Sequence, residues 1–282
     1  MKTLAEGGEV YDRQKELDQN QTRGGFIRLG ASLVIKREKV KKNCQECGDE
    51  FEAYDLGPLS RRACNKCTKA KQAEEEEKQR QAEIALAEAK YHQFVAVAGI
   101  PKIWRGVTFE NSDPSIRKAA FKVAKRYAEN FNAESGTLVL YSKGYGCGKT
   151  HLAICVANYV LHQLRYPVLF KKARDLLLEI RRTFSEAGTG TEADILDQVL
   201  SAQLLVLDDV GVDNPSPWIE STYWTIFDRR LEWQLPTVVT TNYPLEAEAG
   251  VGLGNRIVYG ALSRLMQLCG GNFVDMSGSD LR

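Results

Sequence analysis

No run of about 18 uncharged apolar residues occurs in this chain, so no helix of it is expected to span a membrane. The opening segment, MKTLAEGGEVYDRQKELDQNQ, lacks the apolar core of a secretory signal, and a cytoplasmic location is expected. A global field is lacking too. Thirty-eight Lys and Arg stand against 37 Asp and Glu, a formal net charge of +1, so any contact with nucleic acid must come from a local patch. Seven cysteines in a reducing compartment argue against a disulfide framework and for metal ligands and buried thiols. What is present is 282 residues with a hydrophobic fraction of 43%, enough for a real core in one or two domains.

Composition divides the chain into four stretches. Residues 1–42 read as a tail of illegible role, polar at first and then carrying one apolar stretch, FIRLGASLVIK, with room for one strand. Residues 43–68 hold two cysteine pairs. Residues 69–98 are dense in Ala, Glu, Lys and Gln and read as a solvated helical linker, or else as a helix that docks on a partner. Pro101 stops that helix. From 99 to 282 short apolar β-branched runs alternate with helical patterns. Strands are expected at 137–142, 167–173, 204–210, 237–242 and 272–278. Helices are expected at 150–165, 174–184, 191–201, 217–234 and 254–268. Strand and helix in alternation mean an α/β sandwich around a parallel sheet.

The strongest local signal is the run from Gly144 to Thr150, GYGCGKT, between an expected strand and an expected helix. Backbone N–H groups of Gly144, Tyr145, Gly146, Cys147 and Gly148 can wrap phosphate oxygens, with His151 continuing the loop into the helix. Lys149 supplies a point charge for the β- and γ-phosphates, Thr150 a hydroxyl for Mg²⁺, and the helix its positive end. The strict motif asks for glycine where Lys143 stands, a departure at the loop's entry. LLVLDDVG then ends a buried strand in two carboxylates, which need a cation or water. Asp208 suits Mg²⁺ coordination; Asp209 stands where a general base would polarise water. Asn242 ends TVVTTN, where its amide can orient the attacking water or touch the γ-phosphate.

Cys44 and Cys47, then Cys64 and Cys67, form two CxxC pairs separated by 16 residues. Two such knuckles complete a four-sulfur tetrahedron, so structural zinc is expected. Gly48 can take the left-handed conformation a knuckle needs, and Arg61, Arg62 and Lys66 would ease thiolate formation. A module this short has too few apolar residues to fold without its metal. Cys155 and Cys269 read as core residues.

The order of the zinc knuckle, charged helix, GIPKIWRGVTFEN, LVLYSKGYGCGKTHLA, LLVLDDVG, PTVVTTN, SRL and terminal SDLR resembles the DnaC/DnaI-type replicative helicase loaders over roughly residues 44–282. The resemblance implies an AAA+ P-loop domain that uses ATP and Mg²⁺ at interfaces between self-associated subunits. It also implies an N-terminal zinc module that grips a hexameric helicase, and single-stranded DNA as a further partner. ATP hydrolysis would be weak alone and stimulated by DNA or partner. Arg264, in SRL, matches the arginine that reaches a neighbour's nucleotide, with Arg256 as the alternative, and Arg282 matches a second, nucleotide-sensing arginine. The extra helices between the second and third strands resemble an initiator-type channel element. Lys171, Lys172, Arg181, Arg182 and Phe184 are its candidate DNA contacts. Two rival readings are an IstB-like transposition helper that binds DNA and a transposase, and a zinc-headed adaptor whose ATP site acts only as a switch.

Overall fold

The computed structural model describes residues 26–281 apart from 30–32, 37, 57, 59, 116, 184–190, 246–251 and 279. The chain forms two compact units that meet between Ala85 and Leu86.

The first unit is built on little apolar material. Strands β1 (Phe26–Leu29) and β2 (Leu33–Lys36) pair antiparallel, so the segment read as room for one strand forms a two-stranded ribbon. Strands β3 (Lys39–Asn43) and β4 (Glu50–Tyr54) form a second antiparallel pair, with Val40 opposite Ala53. β3 begins inside the segment read as a tail. Of the ten residues in β3 and β4, only Ala53 is buried. The exposed face carries Lys41–Glu50 and Lys39–Glu52 pairs at 2.6 and 3.3 Å. Such solvated pairs contribute less than about 1 kcal/mol each, so they do not replace a core.

Helix α1 (Asn65–Val97) starts directly after Cys64 and runs through the boundary between the units. None of its residues is buried, as its Ala/Glu/Lys/Gln composition requires. Intrahelical pairs such as Glu74–Lys78, at 2.7 Å, decorate it. It stops before Gly99 (φ 68°), where a Cβ would lie 2.6 Å from the carbonyl oxygen of Phe170. Only glycine lets the chain come this close to the sheet edge, where the Phe170 amide donates to the Ala98 carbonyl at 2.7 Å.

The second unit is a five-stranded sheet in the order β6-β7-β8-β5-β9, with every pairing parallel. Its strands are β5 (Leu138–Tyr141), β6 (Val168–Lys172), β7 (Leu204–Val210), β8 (Thr237–Thr241) and β9 (Phe273–Asp275). The central strands read LVLY, LLVLDDV and TVVTT and are buried on both faces, the pattern a covered parallel sheet needs. Helices α2 (Lys118–Glu129) and α3 (Lys149–His162) pack on one face through Phe121, Ala124, Leu152 and Val156. On the other face lie α4 (Ala173–Arg182), α5 (Glu192–Ser201), α6 (Pro217–Glu232), α7 (Gly254–Ile257) and α8 (Tyr259–Cys269). They pack through residues such as Leu176, Val199, Phe227 and Leu265. This is the expected α/β three-layer sandwich.

Two further details, in the second unit, differ from the sequence expectation. The helix expected at 254–268 is broken at Val258, whose φ of 67° no helical residue adopts. Helix α2 had no counterpart among the expected elements: its buried stripe is three alanines and one phenylalanine, too weakly apolar to stand out.

Arg230 is fully buried between α5, α6 and β8. Its guanidinium donates to Thr237 Oγ1 at 2.8 Å and to the carbonyls of Val199, Ala202 and Pro236. Burial pulls its pKa down to about 9. Arg230→Ala strips these buried acceptors of their donor, and the expected cost is about 3 kcal/mol or more. Urea denaturation of the full chain measures it; a change under about 1 kcal/mol would mean the network adds little.

Candidate nucleotide site and candidate metal centre

The nucleotide site grows from the end of β5. The chain leaves the strand, turns through Gly146 (φ 68°) and Gly148 (φ 85°), and enters α3 at Lys149. Both positive φ values are left-handed conformations that glycine adopts without steric cost. A Cβ at Gly146 would also collide with the Asp280 carboxylate, 1.9 Å away. The Leu281 amide donates to the Gly146 carbonyl at 3.0 Å, so the C-terminal segment lies against the loop.

Lys149 is buried, and its ammonium donates to Ser142 Oγ at 2.8 Å and to the Gly144 carbonyl at 2.9 Å. Burial holds its pKa below the ordinary lysine value, against the opposing charges of Cys147, Asp209 and Asp208. Thr150 donates to Asp208 Oδ1 at 2.8 Å, and Thr240 donates to the same oxygen at 2.7 Å. Burial raises the Asp208 pKa, with the Asp209 charge adding to it, while these two hydroxyls pull it down. A nearby divalent cation would favour the ionised form.

Asp209 has φ 58°, and β7 slips register against β8 between Leu207 and Val210. In a regular strand Asp208 and Asp209 would point to opposite faces. The left-handed residue breaks the alternation, and both carboxylates line one cavity of about 610 Å³. The Asp209 amide is held by Thr240 Oγ1 at 2.8 Å.

The same cavity takes in Tyr145 to His151 and Asn242. The structure therefore brings the loop, both carboxylates and the strand-end amide together. His151 points aside: its Nε2 meets Ser112 Oγ at 2.7 Å, its ring stands edge-on to Trp104, and burial lowers its pKa. A buried lysine, a hydroxyl on a buried carboxylate and a loop of freed amides together fit a magnesium-bound triphosphate.

Several residues that line or brace the site carried no signal as members of it. Thr240 was visible only as one threonine in TVVTT. Ser112 and Arg117 come from the loop before α2, and Arg117 Nε reaches the Met276 carbonyl at 3.0 Å. Lys172, read as a DNA contact, lines the nucleotide cavity.

Arg264 lies outside this cavity, on α8, with its Nε 2.6 Å from Asp228 Oδ1 and its side chain partly exposed. Arg256 is engaged elsewhere. It donates to the carbonyls of Gly211, Val212 and Asp213 and lies 5.0 Å from the Tyr243 ring centre. Arg282 and Phe184 fall outside the described residues. Lys171 is paired with Glu179 at 2.5 Å, and Arg181 lies over the Trp218 ring at 5.9 Å.

The four expected zinc cysteines converge in the first unit, with all four sulfurs within 4.8 Å of one another. Cys47 Sγ and Cys64 Sγ are 3.7 Å apart. Four sulfurs at ~2.3 Å around one tetrahedral ion stand about 3.8 Å apart, so the set fits zinc. Gly48 (φ 80°) donates its amide to the Cys44 carbonyl at 2.9 Å, closing the first knuckle. The Cys64 amide points at Cys44 Sγ at 3.3 Å. Amides of Cys64 and Cys47 pull the Cys44 pKa down to about 6, while the thiols of Cys47 and Cys64 push Cys67 up to about 12. Protons on such crowded sulfurs are what a divalent ion displaces.

Cys64→Ser is therefore expected to lower bound zinc from one ion per chain to well under half. Nucleotide affinity, carried by the second unit, should stay within about twofold. Elemental analysis and nucleotide titration of the full chain check both; full zinc content in the variant would remove the cluster from consideration.

Comparison with known proteins agrees with this geometry. The replicative helicase loader DnaC of Buchnera aphidicola subsp. Schizaphis graminum (strain Sg) is 29% identical over 172 residues, 60% of this chain and 68% of that protein. The loader DnaC of Escherichia coli (strain K12) is 29% identical over 163 residues, 57% of this chain and 65% of its own. A crystal structure of the DnaC helicase loader superposes with a TM-score of 0.54 at 24% identity, over 64% of this chain and all of that one, and shows a shared fold. No helix among the described residues is long and apolar enough to cross a membrane. The family model described as IstB-like ATP binding protein matches residues 87–282, well over half of the sequence, and the chain belongs to that family.

Proposed function

We propose that this chain is an ATPase that loads a replicative DNA helicase onto single-stranded DNA. The observation that carries the engine is the single cavity in which Lys149, Thr150, Asp208, Asp209 and Asn242 converge. Magnesium-bound ATP, when present, supplies a γ-phosphoryl group open to attack by water. Lys149 and the loop amides hold its phosphates. Thr150 and Asp208 hold the ion. Asp209 takes the proton of the attacking water, and Asn242 orients that water.

The relatives named as helicase loaders support the loader reading over the transposition helper. The family match begins at residue 87, so the cysteine module stands outside it. A separate metal-held module in front of the motor suits a grip on a partner, here the hexameric helicase. Self-association through the ATPase domain brings Arg264 of one subunit to the nucleotide of the next. Arg264 fits this role better than Arg256, because its guanidinium has one carboxylate partner and reaches solvent, whereas Arg256 is consumed by three carbonyls of its own chain. Arg282 is the nucleotide-sensing arginine in this reading, and the location is cytoplasmic.

Lys149→Ala is expected to weaken ATP binding at least a hundredfold by calorimetry; tight binding in that variant would end the site assignment. Asp209→Asn should retain ATP and lose about 10²–10³-fold in turnover measured with single-stranded DNA present. Undiminished turnover would leave Asp209 without its role. For the partner, capture of a hexameric replicative helicase by the full chain should be lost in Cys64→Ser. Capture of a transposase in place of the helicase would favour the transposition helper.

A further inference from the structure

We propose that the outer face of α2 is a binding surface for the sugar–phosphate backbone of single-stranded nucleic acid, an inference that rests on the DNA-handling reading above.

Helix α2 reads KAAFKVAKRYAE. Its buried residues, Ala120, Phe121, Ala124 and Ala128, face the core. Lys118, Lys122, Lys125 and Arg126 stand at i, i+4, i+7 and i+8, which places them on one stripe of about 100° on the other side. Lys118, Lys122 and Arg126 are exposed, and none has an ion-pair partner among the described residues. Only Lys125 has a carboxylate near, Glu129 at 3.9 Å. Like charges at i, i+4 destabilise a helix by a few tenths of a kcal/mol per pair, so the stripe costs stability that α2 itself does not recover.

An anion supplies the missing partner. The cationic side chains rim an open groove of about 490 Å³ with Pro114, Ser115, Phe121 and, at its far end, the single carboxylate Glu129. Lys118 and Lys122 lie about 6 Å apart along the axis, and Lys118 to Arg126 spans about 12 Å. This is a row of charges, suited to a polyanion with regularly spaced phosphates. A protein partner is less well matched, because protein interface cores are depleted in lysine and need large apolar anchors, which this stripe lacks. A membrane is matched still less: the apolar face of α2 is already buried in the core.

The basic edge expected from the sequence is engaged by comparison, with Lys171 paired to Glu179 and Lys172 in the nucleotide cavity. The α2 stripe also sits close to the motor. Phe121 lines both the groove and the nucleotide cavity, and Arg117, one residue before the helix, lines the latter. A strand on α2 would therefore lie beside the nucleotide cavity, which shares Phe121 with the groove.

The test is fluorescence anisotropy of a labelled oligo-dT with the full chain and ATP, across a salt series, for the wild type and the triple variant Lys118→Ala, Lys122→Ala, Arg126→Ala. Each phosphate contact adds about 0.7 to the slope of log K against log salt. The variant should show a slope shallower by about 2 and at least tenfold weaker binding at low salt, with unchanged ATP affinity. Should it fail to fold, the double variant K122Q/R126Q carries the same test with an expected change of about 1.4. Equal slopes and affinities, with the wild type binding oligo-dT, overturn the assignment to α2 and leave the loader reading standing. Failure of the wild type to bind oligo-dT removes the DNA-handling reading and this surface with it. Unchanged oligo-dT binding with lost capture of the helicase would give the stripe to an acidic protein surface and also overturn the proposal.

Discussion

One carboxylate oxygen fixes the architecture of the nucleotide site. Asp208 Oδ1 accepts from Thr150 at the start of α3 and from Thr240 on β8, while its own backbone belongs to β7. Three elements thus share one buried acceptor. A charge with almost no solvent contact is tolerable only if hydrogen bonds and a cation answer it. Thr240 does double duty, since the same hydroxyl oxygen receives the Asp209 amide and so holds the left-handed residue in place. Geometry that gathers two adjacent strand residues onto one side therefore traces back to the satisfaction of a single buried anion.

Much of this was legible in the amino-acid sequence, for physical reasons specific to each element. LLVLDDV is readable as a strand because parallel strands covered on both faces must be continuously apolar, and as a site because two acids cannot end such a strand idly. The glycines of GYGCGKT are readable because left-handed turns before a helix leave few alternatives. The bulge is another matter. Nothing in LLVLDDV says that Asp209 takes φ 58°, since that conformation is imposed by the Thr240 contact on a different strand. Ser112 and Arg117 were illegible for the same reason: tertiary packing, with no local pattern, brings them to the cavity.

The first unit shows the converse. Its cysteines were readable from spacing alone, because four sulfurs around one ion impose a geometry that few other arrangements satisfy. Its strands were not, because β3 and β4 bury a single alanine and so leave no apolar alternation to detect. Sequence patterns report burial, and where four cysteines that could hold a metal stand in for an apolar core, the pattern falls silent around them. The overlooked helix α2 fails from the other side: it does bury a stripe, but one made largely of alanine, which reads as barely apolar.

The break at Val258 separates two arginines with different anchors. A β-branched residue at φ 67° is strained, and such strain persists only where surrounding contacts over-determine it. Those contacts are visible on either side. Before the break, Arg256 clamps the carbonyls of Gly211, Val212 and Asp213, the segment that directly follows β7 and its two acids. After it, Tyr259 packs against Gly254, where a Cβ would come within 2.9 Å of its ring, and α8 carries Arg264 to Asp228 on α6. A straight helix through 254–268 would rotate one of these anchors off its partner. The kink lets a single short stretch hold the loop beyond Asp209 with one arginine and present a second arginine near the surface.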